Sequence, residues 1–446
     1  MSLRNLFRRN TFEHGVHPAA HKELTCGRPI RRLPFAPQLI VPLSQHAGTP
    51  AVPLVQSGQE VVRGEPLARA DGFVSVPMHA PATGRVEAIQ LMPTARGPKT
   101  LSLVLHVYEG STQQVLYGSA RDVERMTPDE IIQAVQDAGM VGLGGAAFPT
   151  HVKMKPPPEH SVDTLVVNGC ECEPYLTCDH RLMLEQTGNL LAGIGIVMRA
   201  LGVQRCMIGV EDNKPDAIAA IAARLPDNGT VSVHAVQTKY PQGAEKMLIE
   251  SLLGRRVPTG SFPSAVGVSV FNVGTLTQIG ELLPLGRGVI ERVVTVSGTG
   301  VQHPGNYLVP VGTPVRFLLE YAGATPRANE LILGGPMMGM SVASLDVPVT
   351  KAVSGMVVLE ETDADLRERR VQPCIRCAWC VEACPMHLNP STLGLLATRR
   401  EYSRMADEFH LNDCFECGCC SYVCPANIPL VQYFRIAKAI NREQAA

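Results

Sequence analysis

From Leu39 to Tyr108 the apolar residues fall in short runs (QLIVPL, VVRGEPLARA, FVSVP, GRVEAIQL, LSLVLHV) separated by Gly and Pro. Close turn spacing without a helical period predicts a small all-β sandwich or barrel. The texture changes at Thr127. TPDEIIQAVQDAG reads as a helix, with Thr127 at the N-cap, Pro128 in the first turn, Glu130 at the third position and Gly139 at the stop. After a Gly-rich loop come the strand TLVVNG, one helix over HRLMLEQTGNLLAGIGIVMRALG, the strand RCMIGV, and a helix from Lys214 to Leu225. The strand TVSVHAV and a helix over AEKMLIESLLG follow. This alternation predicts an α/β layer on a largely parallel sheet. Residues 290–345 return to β texture in ERVVTVSG, NYLVPVG, TPVRFLLEYAG and NELILGG, read as a small α+β module. The charged run from Glu360 to Arg370 reads as a solvated linker or helix start. Beyond it, STLGLLATRREYSRMADEF and PLVQYFRIAKAINRE are helical in period.

Composition narrows the function classes. At 446 residues the chain is too long for one core, and length suggests about three domains. Forty Lys and Arg nearly balance 41 Asp and Glu, so no global field points to nucleic acid. No stretch approaches the roughly 18–20 apolar residues of a spanning helix. Met1–Asn10, MSLRNLFRRN, has no apolar run behind it; it reads as a frayed tail, or as a basic amphipathic turn able to touch a membrane surface or a partner. The 14 Cys in so long a chain without a secretory leader suggest reduced thiols in a cytoplasmic, soluble or peripheral protein.

The cysteine spacing carries the sharpest chemistry. Cys374, Cys377, Cys380, Cys384 and Pro385 read C-x2-C-x2-C-x3-C-P, and Cys414, Cys417, Cys420, Cys424 and Pro425 repeat it. Three thiolates on such a loop converge on one iron–sulfur cube, while the fourth reaches the other cluster, as in bacterial two-cluster ferredoxins. One [4Fe–4S] cluster is therefore expected on Cys374, Cys377, Cys380 and Cys424, and the second on Cys414, Cys417, Cys420 and Cys384. A zinc site would need one set of four ligands, not two runs each closed by Pro. Cys419 is spare and reads as a small packing residue. Helical periods around both motifs predict a helical ferredoxin, a one-electron wire.

The loop Gly142-Leu143-Gly144-Gly145-Ala146-Ala147 contains G-x-G-x-x-A, but a helix precedes it, so the Rossmann reading fails in its usual form. Bare backbone of this kind still suits a phosphate or a flat ring, with Lys153 nearby as a cation. Residues 52–86 resemble the barrel-sandwich fold of lipoyl and biotinyl carriers, but Val76-Pro77-Met78-His79-Ala80 offers no Lys, so a docking or structural module is expected.

GLGGAAFPTHVKM and VVNGCECEPYLTCDHRLMLE resemble the flavin-binding stretches of the NADH-oxidising subunit of respiratory complex I. They are more similar still to the RnfC family, the C components of the Rnf ion-translocating oxidoreductases. That likeness also takes in GVHP, VPLSQHAG, GEPLARADG, VEDNKPDAI, VPTGSFPSAVGVSVFNVGT, GGPMMG and both cysteine motifs. The resemblance implies a multidomain α/β-plus-β chain: an N-terminal segment (1–34), a barrel-sandwich hybrid (35–115), an FMN/NADH-binding α/β domain (120–285), a β-grasp SLBB-like module (286–350) and a two-cluster ferredoxin (360–446). It also implies non-covalent FMN lined by Gly142, Gly144, Gly145 and Lys153, with Asn168, Glu171 and Glu173 of NGCECEP, Tyr240, Gly243 and Glu245, and Asn272 of FNVGT. Cys170, Ala244 and Leu143 depart from the complex I pattern, where Asp, an acidic residue and Arg stand. Ala322-Gly323-Ala324-Thr325 lacks the leading hydroxyl of a covalent-flavin motif and reads as a turn. Met337, Met338 and Met340 read as core fillers rather than soft-metal ligands.

The expected function is a peripheral electron-input subunit on the cytoplasmic face of a bacterial inner membrane. It exchanges electrons between NADH, FMN and two clusters, and passes them to integral-membrane and ferredoxin-like partner subunits, with no catalytic acid or base required. The alternatives are the diaphorase subunit of a soluble hydrogenase or formate dehydrogenase, and a ferredoxin-bearing adaptor without flavin.

Overall fold

The computed structural model describes residues 10–95, 97–360, 362 and 370–445. The basic segment 1–9 and most of the charged run after Glu360 lie outside the described residues.

Two antiparallel sheets form the barrel sandwich. One orders Gln38–Pro42, Thr100–Val107, Gly84–Met92 and Glu60–Val61; the other orders Val52–Pro53, Pro66–Arg69 and Met78–His79. Leu39, Val41, Leu67, Leu103 and Leu105 fill the space between them, each such burial stabilising by about 1.5–3 kcal/mol. Val141, Leu143 and Ala147 join the same core, so the barrel packs the back of the glycine-rich loop. Val76, Met78 and Ala80 of the carrier-like tip are fully buried. The Lys351 ammonium closes over this tip, donating to the Pro77 and Gly139 carbonyls at 3.0 and 2.8 Å. No arm could swing from there.

The helix Pro128–Asp137 starts on the expected capping box between Thr127 and Glu130. Beyond it lies a four-stranded parallel sheet ordered Val231–Val236, Cys206–Glu211, Thr164–Gly169, Val268–Asn272. The stretch read as one long helix is two, Cys178–Glu185 and Thr187–Leu201. At the break the Thr187 hydroxyl donates to the Met183 carbonyl at 2.6 Å, replacing the amide that a continuing helix would have brought to it. Thr187–Leu201 crosses Val273–Leu282 with almost no gap: a Cβ on Gly193 would lie 1.9 Å from the Leu276 carbonyl oxygen. Only glycine permits that approach.

The third unit is a six-stranded mixed sheet ordered Ile30–Arg32, Gly305–Pro310, Glu291–Ser297, Gly355–Leu359, Glu330–Leu333, Met340–Ser341. Two expectations change here. TPVRFLLEYAG, read as β texture, supplies the helix Val315–Ala322, because Val315, Leu318 and Ala322 recur at helical spacing and are buried together. The sheet also reaches past the expected limits of 286–350: Gly355–Leu359 is an inner strand, parallel to Glu291–Ser297, and Ile30–Arg32 adds a parallel edge.

The cluster domain is helical, as its periodicity implied. Its helices are Trp379–Glu382, Pro390–Thr398, Tyr402–Asp407, Cys419–Tyr422 and Leu430–Ala445. Leu393, Met405, Leu411, Leu430 and Phe434 form its core. The run between the two cysteine motifs is broken at Arg400, which sits at φ +59°.

Candidate flavin cleft and cluster-binding loops

In the parallel sheet the chain goes from Thr164–Gly169 outward to one side, then returns to the other with Val268–Asn272. The strand order reverses between these two neighbours, and ligands of open α/β sheets bind at such a point, off the carboxyl ends of the strands. Asn168 and Asn272 face each other in register there. The Asn168 amide donates to the Gly243 carbonyl at 2.8 Å. Asn272 caps Val273–Leu282 by accepting from the Gly274 and Thr275 amides at 2.9 and 3.3 Å, and its own amide donates to Asp179 at 2.6 Å.

The glycine-rich loop lies over this edge. Gly144, Gly145 and Ala146 are exposed, and among the described residues their amides make no backbone hydrogen bond. A Cβ on Gly144 would stand 3.5 Å from Asn272, and Gly145 (φ +114°) faces open space. The loop is closed behind by Gly142 N–H to Phe148 O at 2.8 Å, and the Leu143 amide is held by the Thr275 hydroxyl at 3.0 Å. Lys153, on the short helix Thr150–Lys153, pairs with Glu245 at the start of Glu245–Leu253 and reaches the Val270 carbonyl at 3.4 Å. Free amides on bare backbone beside a cation, at the reversal point of the strand order, are donors of the kind that suit a phosphate-bearing flat ring such as FMN.

Other nominated residues serve different contacts. Glu171 is buried and caps Cys178–Glu185, accepting from the Asp179 amide at 2.9 Å and the His180 amide at 3.3 Å. The Cys170 thiol turns into the sheet toward the Gly209 carbonyl. Glu173 leaves the cleft altogether and accepts from the Met337 and Met338 amides at 3.0 and 2.8 Å. It ties the GGPMMG turn of the mixed sheet to the α/β domain. Of the methionines there, half-buried Met337 packs against the apolar cluster of Val16, Tyr240 and Cys419, as a core filler would, whereas Met338 is exposed and contributes only its backbone amide. Asp179, which the sequence reading did not single out, sits beside Asn272. Burial, then the Glu171 carboxylate, holds it well above the ordinary carboxylate range. An acidic residue in the first helical turn after NGCECEP was the available signal.

Burial pushes Glu173 up to about 7 from an ordinary 4.5, against the pull of the two methionine amides. The folded form thus binds the proton more tightly, and this residue's contribution to stability falls as pH rises from about 4.5 through 7. The thermal midpoint of the unsubstituted chain minus that of Glu173→Gln should decrease between about pH 4.5 and pH 7 and level off above that. A difference that stayed flat or grew would remove Glu173 as the titrating group.

Cys384 of the first motif lines one pocket with Cys414, Cys417 and Cys420 of the second. The Cys380 thiol is raised first by burial and then by Cys424, Cys374 and Cys377. Burial pushes Cys414 up to about 11, with Cys417 and Cys384 adding to it. Burial, then Cys417, Cys414 and Cys384, and last Cys380 of the other set, also raises Cys420. Cys384 therefore keeps company with the second motif and Cys424 with the first. Thiols crowded so that each opposes its neighbours' ionisation suit a cationic core that binds them as thiolates. Cys374 and Cys377 are exposed, whereas Cys384, Cys417 and Cys420 are buried.

The buried set lies against the α/β domain. The Tyr240 hydroxyl, fully buried, donates to the Cys417 carbonyl at 2.6 Å, so this residue faces the cluster loop and not the cleft. Spare Cys419 is also fully buried, 4.0 Å from the Tyr240 carbonyl oxygen, as a packing residue would be.

Four family models match in chain order: an RnfC barrel-sandwich hybrid domain (residues 10–108), a Nuo51 FMN-binding domain (135–281), an SLBB domain (293–341) and a 4Fe–4S dicluster domain (370–428). The chain is 41% identical to the C component of the proton-translocating ferredoxin:NAD(+) oxidoreductase complex of Clostridium ljungdahlii, over 97% of this chain and 94% of that one. It is 39% identical to the C component of the Na(+)-translocating complex of Acetobacterium woodii, over 88% and 89%. The C component of the ion-translocating oxidoreductase complex of Pseudomonas aeruginosa is also 39% identical, over 98% of this chain and 56% of that longer one. With its FMN-binding and dicluster domains in this order, the chain belongs to the RnfC family, the C components of Rnf-type ion-translocating oxidoreductase complexes.

Proposed function

We propose that the chain is the electron-input subunit of an ion-translocating ferredoxin:NAD(+) oxidoreductase, working between NADH in the α/β cleft and partner redox subunits beyond the cluster domain. FMN, when bound, supplies the exchange between hydride and single electrons, and two [4Fe–4S] clusters supply one-electron transfer. The chain's own residues position these groups. The Gly144–Ala146 amides and Lys153 receive flavin phosphate or ring edge, while Asn168 and Asn272 fix the cleft floor. Cys374, Cys377, Cys380 and Cys424 hold one cluster; Cys384, Cys414, Cys417 and Cys420 hold the other.

One observation carries this reading: the turn Tyr240–Gly243 touches both halves. Its Gly243 carbonyl accepts from the Asn168 amide, and its Tyr240 hydroxyl donates to the Cys417 carbonyl in the cluster loop. The buried cluster therefore lies on the flavin side and the exposed one on the outlet side. Among the described residues no helix is long and apolar enough to cross a membrane, which supports attachment through partner subunits, at the cytoplasmic face where NADH is found. An anaerobic visible spectrum tests the proposal. NADH should bleach a flavin band and then the broad cluster absorption; protein without flavin, or unmoved by NADH, would instead be a ferredoxin-bearing adaptor.

A further inference from the structure

Residues 12–17 run as a strap over the junction between the α/β domain and the cluster domain. Val16 and Tyr240 exchange backbone hydrogen bonds, both 2.8 Å, and the Gly15 amide donates to the Ala383 carbonyl at 3.2 Å. Where the strap crosses the cluster loop, Glu13 and His14 meet His387, three residues past Cys384. All three are exposed, and one nitrogen of each ring and one carboxylate oxygen lie within 4.8 Å of one another. His387 Nε2 stands 3.8 Å from Glu13 Oε2, and the two imidazoles meet edge to face with centroids 4.6 Å apart. Electron transfer requires none of these side chains.

We propose that Glu13, His14 and His387 bind a divalent transition-metal ion of the zinc type, which staples the strap to the turn carrying Cys384. The ligand set suits it: two imidazoles and a carboxylate, with water completing a tetrahedron. Metal–ligand bonds of about 2.0–2.2 Å bring ligand atoms to within roughly 3.5 Å of each other, a closure that exposed side chains make by rotation. His14 Nδ1 contacts the Glu382 carbonyl oxygen, which fixes the proton on Nδ1 and leaves the Nε2 lone pair for a metal. Arg256 approaches Glu13 only to 3.5 Å and is already held by Glu250 at 2.7 Å, so it need not be displaced.

The backbone supplies the second line of evidence. His14 and His387 sit at φ +61° and +54°, a left-handed conformation that is costly for most side chains and easiest for Gly or Asn. The repeated cysteine motif provides an internal control. Cys424-Pro-Ala-Asn427 corresponds to Cys384-Pro-Met-His387, and Asn427 has φ +52°. The turn itself is satisfied by Asn; imidazole at 387 adds a ligand, aimed at a second imidazole in an equally unusual conformation.

The test uses the anaerobically purified full chain with its iron and flavin loaded, dialysed against Zn2+ and assayed for bound zinc. The chain should take up one zinc, with iron and flavin unchanged. His14→Asn and His387→Asn keep the left-handed turns accessible and should each weaken zinc binding by on the order of 100-fold, Glu13→Gln by about 10-fold. Zinc should also slow proteolytic cutting within the strap of the unsubstituted chain but not of the double histidine variant. Zinc uptake no greater than that of the double variant, at equal iron content, would overturn the proposal; so would protection that persists in the variant.

Discussion

A Cys384→Ala chain, purified anaerobically, should hold about four irons in place of about eight and should lose the paramagnetic signal of the cluster on Cys414, Cys417 and Cys420. In sequence Cys384 closes the first motif, so a ligand set assigned motif by motif would predict the opposite loss. Crossing follows from geometry. Cys380 lies within the short helix Trp379–Glu382, while Cys384, just past its end, lines one pocket with Cys414, Cys417 and Cys420. Cys384 is buried beside the buried Cys417 and Cys420 and the half-buried Cys414, which it pushes against electrostatically, whereas Cys424 crowds Cys380. The mirror variant Cys424→Ala should spare the buried cluster and lose the exposed one. Cys419→Ala should leave both signals, since that thiol, packed against Tyr240 and its neighbour Cys417, belongs to neither ligand set. Loss of the Cys374 set in the Cys384 variant would refute the crossed assignment.

Gly144→Val should abolish FMN binding and NADH-driven reduction while leaving full iron and dithionite-reducible clusters. Gly144 is the cleaner choice than its neighbour. Gly145 sits at φ +114°, where any side chain strains the backbone, but a Cβ on Gly144 meets Asn272 at 3.5 Å, an ordinary contact. The loop can therefore keep its shape, anchored by Leu143 and Ala147 in the barrel core, while the valine methyl groups fill the space in front of Asn272. Steric exclusion, not unfolding, is the expected cause. Lys153→Ala should act in the same direction by a different route, stripping Glu245 of its partner and leaving a carboxylate facing an anionic ligand. Wild-type flavin content in Gly144→Val would place the ring elsewhere.

Much of this was legible in one dimension because the governing rules are local. Cysteine spacing sets which thiols a short loop can converge, Thr127 and Glu130 cap a helix from three residues apart, and the glycine run leaves a backbone bare whatever surrounds it. These signals determined the two clusters, the α/β layer, the helical ferredoxin and the likeness to the RnfC family. Tertiary structure decided what the non-local residues touch. Gly355–Leu359 pairs with Glu291–Ser297, far earlier in the chain, in a sheet whose edge is Ile30–Arg32, since strand pairing has no sequence range. TPVRFLLEYAG became a helix because a buried face was there to receive Val315, Leu318 and Ala322. Glu173 and Tyr240, neighbours of the cleft by motif, are drawn by hydrogen-bond partners more than 160 residues away, Met337 and Cys417, to the junctions between domains. Motif position says which segment a residue belongs to; only packing says which way its side chain faces, because a buried polar group goes where its hydrogen bond is.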